Sequence, residues 1–321
     1  MKKLNPSTLF LILGVFLCLF CSFFLGNLIL GILVFLIFFG CVVYNKRAVL
    51  ISSSADTAYT KNNITKSFEL YEKAIAINSC PAMVKIIYAY RLIHFGDSEK
   101  CASILATLNP EKMSQNETFN YDATRALSVW KQGDLQEAIT IFENIATQKE
   151  SLLIYETLGY LLLCSRDYEK ALEFNLKAHE FSSASDLISD NLAASYYYLG
   201  YHKKAAKIYK NLIETHATFP EPYYYYALIL NEREKYKSAL KYLYLGLEKK
   251  ESHLSELKHA NLQHMINQIE DYLEYLEADE VDETDSNTNL DTESETISEM
   301  PESQAAPDYA SEDTETATVQ A

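Results

Sequence analysis

The chain has 321 residues, with 28 Lys and Arg against 44 Asp and Glu, for a formal charge of −16. Residues 278–321 hold 14 of those acids and no Lys or Arg, which leaves the rest with 30 acids against 28 bases, a net charge of −2. A near-neutral body carries no electrostatic footprint for nucleic acid, and six scattered cysteines exclude a disulfide framework and suit a reducing compartment.

No charged residue occurs from Leu4 to Asn45, and nearly every position from Leu9 to Tyr44 is apolar. One helix of that length would measure about 55 Å, against a hydrocarbon core of about 30 Å. Two short membrane helices, about 7–25 and 28–44, turning at Gly26-Asn27, fit better. Lys2 and Lys3 before the stretch and Lys46 and Arg47 after it place both flanks in the cytoplasm. Residues 1–47 therefore read as a membrane anchor. A single span is the alternative, and it would put everything after it on the opposite side. Cys18 and Cys21 have a redox or metal spacing but lie in this apolar run with no other ligand nearby, so they read as packing residues.

Small residues then recur at a nearly fixed step. Ala171, Ala205 and Ala239 are 34 apart; Ala138 precedes Ala171 by 33, Cys101 precedes that by 37, and Ser67 precedes Cys101 by 34. A period near 34 is the mark of stacked helical hairpins. Each hairpin brings two helices together at small side chains, and no hairpin buries its apolar face alone, so the stack is the stable unit.

The unit at Leu152–Ala184 carries Tyr155, Leu158-Gly159, Leu162, Tyr168, Ala171 and Ala178. The next has Leu192-Ala193, Tyr196, Gly200-Tyr201, Ala205 and Tyr209; a third has Tyr223, Tyr226-Ala227, Leu230, Tyr236, Ala239 and Gly246. Residues 48–81, 82–115 and 119–150 hold more worn copies with Ala55, Ala89 and Ala126. This pattern resembles the tetratricopeptide repeat. The resemblance implies an all-α solenoid of about six helical hairpins over 48–277, with loop adjustments around Gly133 at the 37 and 33 steps. Together with the anchor, the expected fold is a tetratricopeptide α-solenoid preceded by a transmembrane helical hairpin.

Leu254, Leu257, Leu262, Met265, Ile266, Ile269, Tyr272 and Leu273 predict one more helix over 252–277, a cap for the last hairpin. Residues 278–321 are Glu, Asp, Thr and Ser with few large apolar side chains, and predict a disordered, solvated tail.

No phosphate-binding glycine loop, nucleophile elbow or helical His pair occurs. Seven dispersed histidines read as single surface residues, so no catalytic group, cofactor or metal is expected. Asn63 and Asn116 begin glycosylation-type triplets that would matter only in a secretory lumen.

The family resemblance places the first helices of successive hairpins along a concave groove. Mapped on this sequence, that groove would receive Ile86, Tyr90, Ile93, Leu127, Trp130, Leu153, Tyr160, Leu163, Tyr197, Tyr198, Tyr224 and Leu228. The set suits a protein or peptide ligand with apolar anchors. Family members that grip the acidic C-terminus of chaperones use Lys, Arg and Asn there. Leu153, Leu187, Ala194 and Tyr160 hold those positions here, so the resemblance implies no such clamp. The expected function is a membrane-anchored scaffold assembling proteins at the cytoplasmic face, not an enzyme; the alternative is a regulatory or sensory subunit of a membrane signalling or export complex.

Overall fold

The computed structural model describes residues 6–23 and 28–288, and among them every regular element is helical. The chain opens with α1 (Pro6–Phe23) and α2 (Leu28–Thr60), which pack on each other. A Cβ on Gly14 would lie 2.7 Å from Phe38 Cδ1, so the missing side chain is what lets the two helices touch. The turn expected at Gly26-Asn27 lies outside the described residues. Among the described residues one helix, α2, is long and apolar enough to cross a membrane.

The helix expected to end near Tyr44 does not end there. From Asn45 to Thr60 there is neither Gly nor Pro, and nothing interrupts the backbone ladder. Consequently the apolar stretch and the first helix of the repeat array are one helix, and the boundary expected at residue 47 falls inside it.

Six hairpins follow: the distal part of α2 with α3 (Ile64–Ile75), α4 (Ala82–His94) with α5 (Ser98–Ala106), α6 (Gln115–Lys131) with α7 (Leu135–Gln148), α8 (Leu152–Cys164) with α9 (Tyr168–Phe181), α10 (Asp186–Tyr198) with α11 (His202–Glu214), and α12 (Glu221–Asn231) with α13 (Tyr236–Leu247).

The period is built into the turns. Each hairpin turn carries a residue with positive φ: Asn62 (57°), Gly96 (85°), Gly133 (105°), Arg166 (64°), Gly200 (79°) and Glu234 (59°). In four of the six turns the next residue, Asn63, Asp97, Asp134 or Asp167, caps the second helix by accepting from the amide three positions on. The small residues Ser67, Cys101, Ala138, Ala171, Ala205 and Ala239, five positions after each turn residue, are all 0% exposed. A matching series of small residues, each twelve positions earlier, lies on the first helices: Ala55, Ala89, Ala126, Gly159, Ala193 and Ala227. Contact is close enough for Ser67 Oγ to donate to the Ala55 carbonyl at 2.8 Å. The longer 37-residue step does not come from the Gly133 turn, where the sequence places the adjustment. It lies between hairpins, in the α5–α6 connection, which contains a short 3₁₀ helix, Pro110–Lys112.

The final helix, α14 (His259–Thr288), starts seven residues later than expected. Its Leu262, Ile266 and Ile269 are buried, and a Cβ on Gly246 would meet Leu262 Cδ2 at 2.7 Å, so its first turns close the last hairpin. Residues 278–288, expected to be disordered, continue this helix. The rest of the acidic tail, 289–321, lies outside the described residues.

Candidate functional site

The segment Glu248–Lys258 joins α13 to α14, and it does not take the short route. It runs back across the first helices of earlier hairpins as a strap. Its His253 lies against the turn of the second hairpin: a Cβ on Gly96 would be 3.1 Å from His253 Nδ1. Leu254 packs against the core of the first four hairpins, and Leu257 is buried. The Glu256 amide donates to Tyr160 Oη at 2.7 Å, and the Glu256 carboxylate pairs with Lys131 at 3.3 Å. Ser255 Oγ donates to Glu221 Oε1.

Local chemistry explains why this stretch is not helix. Ser252 Oγ accepts from the Leu254 amide at 3.2 Å and Ser255 Oγ accepts from the Leu257 amide at 3.0 Å. Side-chain bonds of this kind compete with a helical ladder. Lys258 Nζ donates to the Ser252 carbonyl at 2.8 Å, and the His259 amide donates to Glu251 at 2.8 Å, which closes the segment on itself.

The strap divides the concave wall into two cavities. The larger, of about 490 Å³, is lined by Trp130, Tyr160, Leu163, Tyr168, Tyr198 and Tyr225, together with Asp190, Asn191, Glu221 and Ser255–Leu257. The smaller, of about 210 Å³, is lined by Tyr90, His94, Leu127, Leu153, Leu187, Phe219 and Leu254, and shares Trp130, Tyr160, Asp190, Asn191, Glu221 and Ser255.

Of the residues that the sequence places in a groove, the structure brings Tyr90, Leu127, Trp130, Leu153, Tyr160, Leu163 and Tyr198 to these two cavities. Trp130 and Tyr160 meet edge to face at 5.8 Å, and Tyr198 stacks on Tyr168 at 4.5 Å while its hydroxyl meets that of Tyr225 at 2.8 Å. Ile86 and Ile93 are elsewhere: each is 1% exposed, in the core of the stack. The wall of α4 is carried instead by Tyr90 and His94, whose rings lie 4.4 Å apart. Tyr197 packs flat on His202 and bonds Glu232 at 3.2 Å, at the contact between the fifth and sixth hairpins. Tyr224 and Leu228 are half-buried on α12 and line neither cavity.

The floor is not purely apolar. Asp190 is 6% exposed and Glu221 8%, and the atoms Asp190 Oδ1 and Glu221 Oε2 have no hydrogen-bond partner. Burial pushes both carboxyls above the ordinary carboxylate range, and for Asp190 the neighbouring Glu221 charge adds to it. Burial also holds the His94 imidazole down at about 4, with its Nε2 unpartnered. Sequence reading misses these acids, although a signal exists. Asp190, Ala194 and Tyr198 are four apart and share one face of α10, and Glu221 is three before Tyr224 on α12.

No group of three or more His, Cys, Asp or Glu that could hold a metal occurs among the described residues.

No protein-family model matches the sequence, and no curated protein sequence matches it. Solved structures do match. A tetratricopeptide repeat protein from Parabacteroides merdae superposes with a TM-score of 0.57 at 11% identity, over 83% of this chain and 99% of that one. MamA from Desulfovibrio magneticus RS-1 aligns at 15% identity over 52% of this chain and 93% of that one, with a TM-score of 0.40. At these identities the likeness concerns the fold alone, and the fold is an all-helical, tetratricopeptide-like solenoid.

Proposed function

We propose that this chain is a membrane-anchored scaffold that holds a protein partner against the concave wall of its repeat array at the cytoplasmic face. The observation that carries this reading is the strap. A bent, non-helical segment lies on the wall, with Leu254 and Leu257 as apolar anchors and a main-chain amide bonded to Tyr160. Apolar anchors with a main-chain bond to the wall are also what would hold a partner peptide there, and the larger cavity beside the strap leaves aromatic wall uncovered. The solenoid architecture supports the same reading, since stacked hairpins create extended binding surfaces.

The anchor is argued from α1 and α2. Among the described side chains from Ile12 to Leu50, large apolar groups point outward, Phe23 at 89% and Ile29 at 73% exposure, far beyond what a soluble surface carries. Their pairing as a hairpin, with Lys2, Lys3, Lys46 and Arg47 on the cytoplasmic side, sets the proposed topology. Protease accessibility of the acidic tail in sealed membranes tests it: tail protection in inside-out vesicles contradicts the cytoplasmic placement.

Trp130→Ala with Tyr198→Ala weakens capture of the partner more than deletion of 278–321 does; the reverse order contradicts the groove. A second reading is favoured by the unbroken α2, which couples the membrane segment rigidly to the array: a regulatory arm of a membrane complex. Stoichiometric co-purification of integral membrane proteins would favour it over a simple adaptor.

A further inference from the structure

The concave wall contains two acids that the fold itself does not explain. Elsewhere in the array, carboxylates meet bases: Asp56 with Arg91, Glu72 with Lys100, Glu137 with Arg125, Glu143 with Lys170. Among the described residues no ion pair reaches Asp190 or Glu221, although both are more than nine-tenths buried. The nearby bases are engaged or peripheral. Lys131 binds Glu256, Lys258 binds the Ser252 carbonyl, and Arg166 sits on the exposed rim of the cavity. Two adjacent buried carboxylates without a counter-charge are costly unless a cation or a shared proton offsets them.

The surroundings select which cation. Both acids line the cavity of about 490 Å³ together with the rings of Trp130, Tyr160, Tyr198 and Tyr225. Aromatic faces attract organic cations. A guanidinium combines a flat face that stacks on such rings with an edge of donors that matches a pair of carboxylates. Ser255 occupies Glu221 Oε1 and leaves Oε2 free, so the strap fixes the direction in which the second acid accepts. Two carboxylates alone are too few ligands for a bound metal ion.

We infer that the Asp190–Glu221 pair and its aromatic walls form a site for the arginine side chain of a partner peptide lying in the groove. This rests on the groove reading above. Lysine, a compact and strongly hydrated point charge, is held less well there.

The test uses the full chain in phosphatidylcholine nanodiscs and short fluorescein-labelled peptides in which two leucines flank a variable central residue: arginine, lysine, citrulline or glutamate. Anisotropy titrations give the arginine peptide an affinity about tenfold above that of its neutral isostere citrulline, with glutamate weakest. Asp190→Asn and Glu221→Gln, separate neutral isosteres checked by circular dichroism, each bring the arginine-to-citrulline ratio to about threefold or less. Equal affinity for arginine and citrulline peptides, or a ratio unaffected by both variants, overturns the cation site. In that case citrulline binding that is lost in Trp130→Ala still upholds the groove. If no peptide binds the wild type better than it binds Trp130→Ala, the groove falls and the site with it. If free acetyl-arginine amide competes as strongly as the arginine peptide, the peptide assignment is overturned in favour of a small guanidinium ligand.

Discussion

Ser255 Oγ donates a hydrogen bond to Glu221 Oε1 across a gap of 34 residues, from the strap to the start of α12. That bond ties the connection between the last hairpin and its cap to the wall of the array. Ser255 is 8% exposed, so water cannot replace the donor if it is removed. Ser255→Ala costs about 1–3 kcal/mol of stability. Thermal melts measure the loss, and hydrogen exchange shows faster exchange at the Glu256 and Leu257 amides. An unchanged melt with unchanged protection would mean that the Ser255–Glu221 bond does not hold the strap.

The buried acids give a pH signature with a definite sign. Burial raises Asp190 and Glu221 from ordinary values of 3.8 and 4.5, so the folded chain keeps protons that the unfolded chain releases. Their contribution is fully present below those ordinary values and is lost as pH rises through the raised ones. Glu221 on α12, with Tyr209 on α11 and Tyr225 on α12, faces Asp190, and among the described residues no base pairs with it. Lys258 and Glu251, from the strap, act on Glu221 with opposite signs. Asp190→Asn removes the part of the slope that Asp190 contributes. The variant is more stable than wild type by about 1–3 kcal/mol at about pH 8, and the advantage shrinks toward about pH 4. Comparing variant with wild type cancels the opposing effect of His94, whose depressed value, about 4, loses stability as pH falls below 6.5. A pH-independent difference contradicts the assignment.

Glycines differ sharply in what they tolerate. A Cβ on Gly159 would run into Asn175 Oδ1 and come within 3.2 Å of Asn191 Nδ2. Asn175 is fully buried and donates to Ser195 Oγ at 3.0 Å, so it has little room to retreat. Gly159→Ala destabilises by about 1–3 kcal/mol. Gly40, in the apolar part of α2, has nothing among the described residues within 4 Å of where a methyl would go. Gly40→Ala is neutral or mildly stabilising, by up to about 1 kcal/mol. Equal melting temperatures for the two variants would contradict the close crossing of α8 and α9.

The junction between α2 and the array is fastened by a side-chain network. Arg91 binds Asp56 at 2.6 Å, lies 4.0 Å from the Tyr59 ring centroid and 5.1 Å from that of Tyr71, and Tyr71 donates to Asp56. Tyr71 stacks on Tyr88 at 5.0 Å, and Tyr88 donates to Glu72 at 2.6 Å. Asp56→Ala leaves Arg91 half its partners in a partly buried site, at a cost of about 1–2 kcal/mol. The loss is local: exchange quickens in α2 beyond Tyr44 and in α3, while α10 to α13 keep their protection. Uniform destabilisation along the array would contradict a discrete fastening at the first hairpin.

Repeat number and register are legible in the sequence because the period rests on sterics that sequence displays directly. A residue able to take positive φ, a capping side chain and a small residue five positions after the turn recur at Gly96, Asp97 and Cys101 as at Gly133, Asp134 and Ala138. What is not legible depends on long-range placement. Hydropathy ends at Tyr44, but helix does not, since hydropathy reports the medium and not the backbone. Ser252–Leu257 has the apolar spacing of a helix, yet Ser252 and Ser255 bond their own local amides and the leucines turn to the wall. In the groove, Tyr90, Trp130, Tyr160 and Tyr198 lie on the expected side, whereas Ile86 and Ile93 show that a small rotation about a helix moves a side chain from wall to core. Asp190 and Glu221 escape a sequence reading because a wall expected to be apolar gives no reason to count acids on the same helix faces.

Whether the concave wall holds a partner protein can be read by site-specific photocrosslinking in intact cells. A photoreactive phenylalanine replaces Trp130 or Tyr198 on the wall and, as a control, exposed Leu176 on α9, a second-helix position. A partner seated on the wall gives a defined protein adduct from Trp130 and Tyr198, identical in mass, and none from Leu176. Adducts of equal yield from all three positions, or from Leu176 alone, would show that the wall is not where the partner binds.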